Sequence, residues 1–205
     1  DLISGGAGLG PEKFVLEIGC GTGMFTEMFA GSGAKIIAND ISPDLLKKAE
    51  KRNLPSDQVQ FVEMRFEDLK MDSQFDAVIG SSVLHHLEVE AALSRIFSLL
   101  KPGGILSFAE PNMLNPQIFL ERVFHFLPVF WYVSADETAF IRWKFSKLLM
   151  NVGFENIEIT PFDWLHPSTP QHLIPTVDNF GRLLEKIPVI SEISGCLYIK
   201  CRRPL

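Results

Sequence analysis

Phe14-Val15-Leu16-Glu17-Ile18-Gly19-Cys20-Gly21-Thr22-Gly23 decides the fold, because an apolar run carrying one acid gives way to three alternating glycines. The run from Phe14 to Ile18 is bounded by turn residues and reads as a buried strand of a parallel sheet. The glycines make the turn that follows. Glycine accepts positive φ and has no Cβ, so a small molecule can lie directly against such a loop. A helix is expected at once, over Thr22 to Ala30. A ligand would then sit at the carboxyl end of a strand and beside a helix N-terminus, where open α/β sheets bind.

Met24 stands where the dinucleotide fingerprint needs its last glycine, which argues against a nicotinamide oxidoreductase. Ile36-Ile37-Ala38-Asn39-Asp40 reads as a second strand ending in a carboxylate. That acid falls about twenty residues on, where a ribose diol needs an acceptor.

The 205 residues are 46% hydrophobic and 21% charged, which suits one domain with a full core. Lys plus Arg total 19 against 25 for Asp plus Glu, a net charge of −6, so no overall basic field favours nucleic acid as a partner. The three cysteines form no C-x-x-C pair, as in a reducing compartment. Asp1 to Gly10 lacks the basic and apolar regions of a signal peptide. Together these set the expectation of a cytoplasmic protein.

Further along, Ser42-Pro43 has the chemistry of an N-cap followed by proline at the first helical position, and a helix is expected to about Arg52. Val59 to Glu63 alternates as a third strand. Phe75 to Gly80 is a fourth, with a helix from Glu88 to Leu100 after it. Lys101-Pro102-Gly103-Gly104 should turn the chain into a fifth strand, Ile105 to Ala109. Ser134-Ala135-Asp136-Glu137 has capping-box spacing for a helix running to about Asn151 and closed by Gly153, its buried face supplied by Phe140, Trp143, Leu148 and Leu149. Strands over Ile157 to Ile159 and Leu197 to Cys201, with a helix over Val177 to Lys186 between them, complete the chain.

These motifs, in this order, resemble the class I S-adenosylmethionine-dependent methyltransferases. The resemblance rests on Leu16 to Gly23, on Asp40-Ile41-Ser42-Pro43, on Phe75-Asp76-Ala77-Val78 with Ser81-Ser82-Val83-Leu84-His85-His86-Leu87, and on Leu99 to Gly104. It implies a doubly wound, Rossmann-like, mostly parallel seven-stranded α/β sheet with helices on both faces, its closing strand antiparallel. It further implies a single domain over 1–205, in which 113–152 forms a helical lid after the fifth strand. S-adenosylmethionine is the implied cofactor. Gly19, Cys20, Gly21 and Gly23 would admit its methionine part, with Glu17 fixing the loop and meeting the ammonium through water. Asp40 would take the ribose hydroxyls, Ile41 and Phe66 would pack on adenine, and Ser81 would stand near the methionine end.

The family commonly places an aspartate after the third strand to accept from the adenine amino group, and this chain has Arg65 there. Arginine has donors only. Glu67 or Asp68 would have to reach the amine, or stacking on Phe66 and backbone contacts would suffice.

His85 and His86 are the candidates for a general base, since histidine titrates near neutral pH; capping a turn or lining the pocket would equally account for them. Glu110, at the end of the fifth strand, is a further pocket candidate, for which plain surface exposure is the alternative. His125, His166 and His172 have no metal-ligand spacing. The aromatic stretch from Ile118 to Val133 is interrupted by Glu121, Arg122 and Pro128, too often for a transmembrane helix. A lid over an apolar acceptor and a surface resting on a membrane or partner both fit it, and a helix packed on the sheet would use the same hydrophobicity. The expected activity is methyl transfer by in-line displacement to an apolar small-molecule or lipid-like acceptor. The alternative is a cofactor-binding regulatory or assembly partner without turnover.

Overall fold

Strand β1 (Phe14–Ile18) forms over the expected residues and lies inside the sheet. It pairs in parallel with β2 (Lys35–Asp40), Leu16 opposite Ile37, and with β4 (Phe75–Ser81), Leu16 opposite Val78. Parallel pairing continues outward to β3 (Val59–Glu63) beside β2 and to β5 (Leu100–Pro111) beside β4. Strand β7 (Cys196–Arg202) runs antiparallel between β5 and β6 (Glu155–Phe162). The computed structural model describes residues 2–71, 74–124, 126, 139–165 and 169–205, and these form a mixed seven-stranded sheet of order β3-β2-β1-β4-β5-β7-β6.

Alternation along β1 divides the core. Val15 packs with Ile3 of α1 (Leu2–Ala7), Phe29 of α2 (Met24–Ala30) and Leu46 of α3 (Pro43–Glu50). Leu16 and Ile18 belong instead to the cluster holding Leu93 and Ile96 of α4 (Val89–Leu99) and Phe145 and Leu149 of α6 (Arg142–Val152). Helices therefore cover both faces, the Rossmann-like α/β arrangement. Phe75 and Phe108 are fully buried in the second cluster. Truncating either to alanine should cost about 3–5 kcal/mol.

The start of α3 follows the expected chemistry, with Pro43 in its first turn and Ser42 Oγ accepting the Leu45 N–H at 3.4 Å. Other boundaries differ, for identifiable reasons. Helix α2 begins at Met24 rather than Thr22, because Gly23 is left-handed at φ 71° and acts as the cap. The Lys101 to Gly104 turn lies within β5, where the register against β4 shifts between Phe75 and Ala77 and Gly103 takes φ 76°.

The helix expected from Ser134 starts later in the structure. The proposed capping box at Ser134 to Glu137 lies outside the described residues, and α6 begins at Arg142. Helix α6 packs on α4 and β6, with Phe145 and Leu149 in the core. Phe145 and Leu149 are one turn apart and buried, as is Phe140 just before the helix, whereas Trp143 is 56% exposed. Trp143 falls about 120° around the helix from Leu149 and faces outward. Gly153 ends α6 at φ 109°, as expected.

Before α6, α5 (Pro116–Val123) is capped by Asn115, whose Oδ1 accepts from the Gln117 and Ile118 N–H groups. Toward the end of the chain, α7 (Ile174–Leu184) starts before the expected Val177, and the short α8 (Pro188–Ser191) follows it. Among the described residues no helix is long and apolar enough to cross a membrane.

Candidate cofactor and acceptor site

The carboxyl ends of β1, β2 and β4 enclose a cavity of about 470 Å³ lined by Gly19, Gly21, Asp40, Ile41, Phe66 and Glu67, among others. Hydrogen bonds between the strand ends set its shape. The Gly19 and Cys20 N–H groups both donate to the Asn39 carbonyl, at 2.8 and 3.0 Å. Asp40 Oδ2 accepts the Gly21 N–H at 2.7 Å and Oδ1 accepts the Ser42 N–H at 2.8 Å. One carboxylate thus braces the glycine loop and the entry to α3. It has about four lone-pair sites, so capacity remains for the two hydroxyls of a diol.

Asn39 is a determinant the sequence reading passed over. Its buried Nδ2 donates to the Met64 carbonyl at 2.7 Å and the Val62 carbonyl at 3.3 Å, holding the end of β3 against the glycine loop. The available signal was a lone amide within an otherwise apolar strand.

Glu17 is buried on the α2 side of β1, and burial pushes its carboxyl up to about 7, partly offset by the nearby Thr26 hydroxyl. Neither Glu17 Oε2 nor Thr26 Oγ1 meets hydrogen-bond geometry with a partner, despite their proximity. An orphaned buried acid under the glycine loop suits an ammonium or a water that bridges to one. Gly21, at φ 53°, leaves open space where a Cβ would stand. These features fit S-adenosylmethionine.

The remaining expected contacts sort themselves by position. Gly23 does not line the cavity; a Cβ there would lie 2.9 Å from the Ala49 Cβ, so this glycine serves the packing of α2 on α3. Cys20 is buried, and burial raises its thiol well above the ordinary range. Ser81 ends β4, while the cavity wall is made by Ser82, at φ 53°, and Val83. Ile41 is 64% exposed at the mouth and Phe66 is buried in the wall, a pair of apolar surfaces suited to a flat ring. Arg65 Nε lies 3.6 Å from Glu67 Oε2, and both line the cavity, whereas Asp68 does not.

A second cavity, of about 950 Å³, shares Arg65, Glu67, His86 and Leu87 with the first. Its apolar wall includes Met113, Phe140, Phe145 and Leu148. His85 and His86 both line it, their rings 4.0 Å apart. His85 is buried, with Nδ1 2.7 Å from Glu110 Oε2, and Glu110 Oε1 accepts the N–H groups of Val83 and Leu84 at 2.9 and 2.8 Å. Glu110 is 0% exposed, which removes the surface reading of that residue. His172 lies in a 3-10 turn (Gln171–Leu173) and lines neither cavity; His125 and His166 lie outside the described residues.

Residues 16–108 match the methyltransferase domain family. An uncharacterized methyltransferase of Synechocystis is 32% identical over 152 residues, 71% of this chain and 68% of that protein. A ubiquinone biosynthesis O-methyltransferase of Xanthomonas campestris is 39% identical over 106 residues, covering 50% of this chain but only 44% of its own length. In fold, the chain superposes on a solved chain from the complex of the Trm112 methyltransferase activator with a methyltransferase of Haloferax volcanii. The TM-score is 0.73 and the identity 18%, over 99% of this chain and 88% of that one. The chain belongs to the class I S-adenosylmethionine-dependent methyltransferases, the family its first motif already resembled.

Proposed function

We propose that the protein transfers a methyl group from S-adenosylmethionine to an apolar small-molecule or lipid-like acceptor. The observation that carries this reading is the junction of the two cavities at Arg65, Glu67, His86 and Leu87, which sets a chamber with Met113, Phe140, Phe145 and Leu148 on one wall and charged side chains on the other beside the cofactor cavity. The cofactor supplies a methyl carbon bonded to a sulfonium that leaves as a neutral thioether, so the protein's main task is alignment. Positioning of that kind is worth on the order of 7–11 kcal/mol. Gly19, Cys20, Gly21 and Glu17 hold the methionine end, Asp40 the ribose, and Ile41, Phe66 and Glu67 the adenine. Relatives named as O-methyltransferases favour oxygen as the accepting atom.

Residues 1–205 act as one domain, in which Met113, Phe140, Ile141, Phe145 and Leu148, within 113–152, make the acceptor wall. Exposed apolar side chains on α5 (Phe119, Leu120) and on the α7 to α8 segment (Phe180, Leu183, Val189) favour peripheral contact with a lipid surface from which such an acceptor is drawn. Three free thiols suit a cytoplasmic setting.

Calorimetric titration with S-adenosylmethionine and S-adenosylhomocysteine, with NAD as control, tests the reading on wild type and Asp40→Ala. Binding of the two sulfur ligands alone, weakened by the substitution, is expected. Binding of both sulfur ligands without turnover of any acceptor would leave the second reading, a cofactor-binding regulatory or assembly partner, which Arg65 in place of the usual acid favours; a folded protein that binds neither overturns the proposal.

A further inference from the structure

Met113 and Phe140, which line the second cavity, come from stretches distant in sequence and joined by their backbones. The Phe140 N–H donates to the Pro111 carbonyl at 3.0 Å, and the Met113 N–H donates to the Phe140 carbonyl at 2.9 Å. Asn112 stands between these two bonds, is 0% exposed and lines neither cavity. It reaches instead to the loop 192–195 that leads into β7. Its Nδ2 donates to the Glu192 carbonyl at 2.9 Å and the Ser194 carbonyl at 2.8 Å, and its backbone N–H donates to the Gly195 carbonyl at 2.9 Å. Its Oδ1 accepts the Leu114 N–H at 3.1 Å. Both amide hydrogens and the amide oxygen are therefore used.

The same loop is held at two further points. Asn115 Nδ2 donates to the Ile193 carbonyl at 2.9 Å, and Arg142 at the start of α6 meets Glu192 Oε1 at 2.6 Å. None of residues 192–195 lines either cavity, so the loop can act on an acceptor only through what it holds. A buried polar network with every member satisfied fixes one arrangement of its neighbours. Here those neighbours are Met113 and Phe140.

We propose that Asn112 is a positioning residue for acceptor selectivity: by fastening the end of β5 to the loop 192–195, it sets the Met113 and Phe140 surface on which the apolar body of an acceptor packs. This rests on the methyltransferase reading above. The cofactor cavity contains none of Pro111, Met113 and Phe140, so cofactor affinity does not depend on the same fastening. Each buried methylene of an acceptor is worth about fourfold in affinity, and a wall that withdraws from two of them costs about tenfold.

The test uses the full chain saturated with S-adenosylhomocysteine and titrated calorimetrically with 4-hexylcatechol and with catechol. Wild type is expected to bind the hexyl compound at least about thirtyfold more tightly. In Asn112→Ala that preference should fall about tenfold, with the affinities for catechol and for S-adenosylhomocysteine each kept within about threefold. A general loss of structure would lower all three together. Asn112→Ser, whose hydroxyl still donates to one of the two carbonyls, should lie between, and it replaces the alanine variant if that chain does not fold.

Amide hydrogen exchange on the ligand-free chain reads the fastening itself. Met113 and Phe140 should exchange at least about tenfold faster in the variants, with Leu16 and Ile37 kept within about threefold.

Wild type with no preference for the hexyl chain overturns the proposal. So does a preference kept within threefold in the variants, a preference lost in parallel with S-adenosylhomocysteine affinity, or unchanged exchange at Met113. Wild type that binds no S-adenosylhomocysteine removes the methyltransferase reading instead, and the exchange of Met113 and Phe140 still decides whether Asn112 holds them.

Discussion

A Cβ built on Gly19 would stand 2.5 Å from Val83 Cγ2. The glycine loop and the loop after β4 are thus in contact at the floor of the cofactor cavity, and Gly19 also takes φ 69°. Gly19→Ala meets both a clash and left-handed strain, of which the strain alone costs about 1–2 kcal/mol. Thermal unfolding should show a destabilisation of about 2–3 kcal/mol, and calorimetry at least a tenfold loss of S-adenosylmethionine affinity. Adding Val83→Ala removes the Cγ2 contact but keeps Val83 Cβ at 2.8 Å, so it should recover only part of the stability due to the clash and leave the strain. If the double substitution recovers nothing, the contact is not what constrains Gly19.

Glu17 makes the stability of the ligand-free protein depend on pH. Its carboxyl is raised from 4.5 to about 7, so between those values the folded chain holds a proton that the unfolded chain releases. The associated stability is fully present below about 4.5 and lost as pH rises through about 7, a change of about 3 kcal/mol. Urea unfolding at pH 5 and pH 8 should show this slope in wild type and a flatter one in Glu17→Gln. An ammonium bound over the ionised carboxylate would also release a proton at pH 6. Titration heats that are the same in buffers of different ionisation enthalpy would rule that contact out.

Asp40 has two measurable duties, because its carboxylate holds the Gly21 and Ser42 N–H groups. Asp40→Asn leaves one accepting oxygen and should destabilise by about 1–3 kcal/mol. Its S-adenosylmethionine affinity should fall at least tenfold, and that of Asp40→Ala further. Retention of wild-type affinity in both variants would detach Asp40 from the ribose.

Arg65 and Glu67 form an exposed pair at the cavity lip. Such pairs contribute roughly 0–1 kcal/mol, so neither Arg65→Ala nor Glu67→Gln should move the unfolding midpoint much. Calorimetry should distinguish them. Arg65→Ala is expected to keep cofactor affinity within about threefold, whereas Glu67→Gln loses about three- to tenfold if its carboxylate accepts the adenine amine. The opposite order would mean that Glu67 does not accept the adenine amine and that Arg65 contacts the ring instead, by donating to a ring nitrogen or stacking.

Val189 is 82% exposed and Phe180 is 61% exposed. Cosedimentation with neutral phosphatidylcholine vesicles should fall when both are replaced by serine, with S-adenosylmethionine binding unchanged. Equal cosedimentation would remove lipid contact from the proposed function.

That Gly19, Gly21 and Asp40 come together around one cavity was legible because backbone conformation and hydrogen-bonding capacity place them there, and residue type and spacing disclose both. The ends of β1 and β3 were likewise readable from apolar patterning, since each strand is bounded by breakers. The role of Glu110 was not legible, because its partners Val83, Leu84 and His85 lie more than twenty residues away and only the parallel pairing of β4 with β5 brings them near. Trp143 was misassigned for a related reason: aromatic content does not say which side of a helix meets the sheet. The Lys101 to Gly104 turn failed because two glycines and a proline also suit an irregular strand, and the shift against Phe75 is a property of the pairing.

The place of β7 bears on synthesis at the ribosome. It follows β6 in the chain yet lies between β5 and β6, and it is the strand that joins β6 to the sheet. Until Cys196 to Arg202 has emerged, a nascent chain carries β5 with an open edge and β6 without its ladder. Unpaired strands of this kind recruit other chains. A stalled or prematurely terminated product lacking those seven residues should therefore depend on a chaperone to stay dispersed, while the longer product closes the sheet by itself.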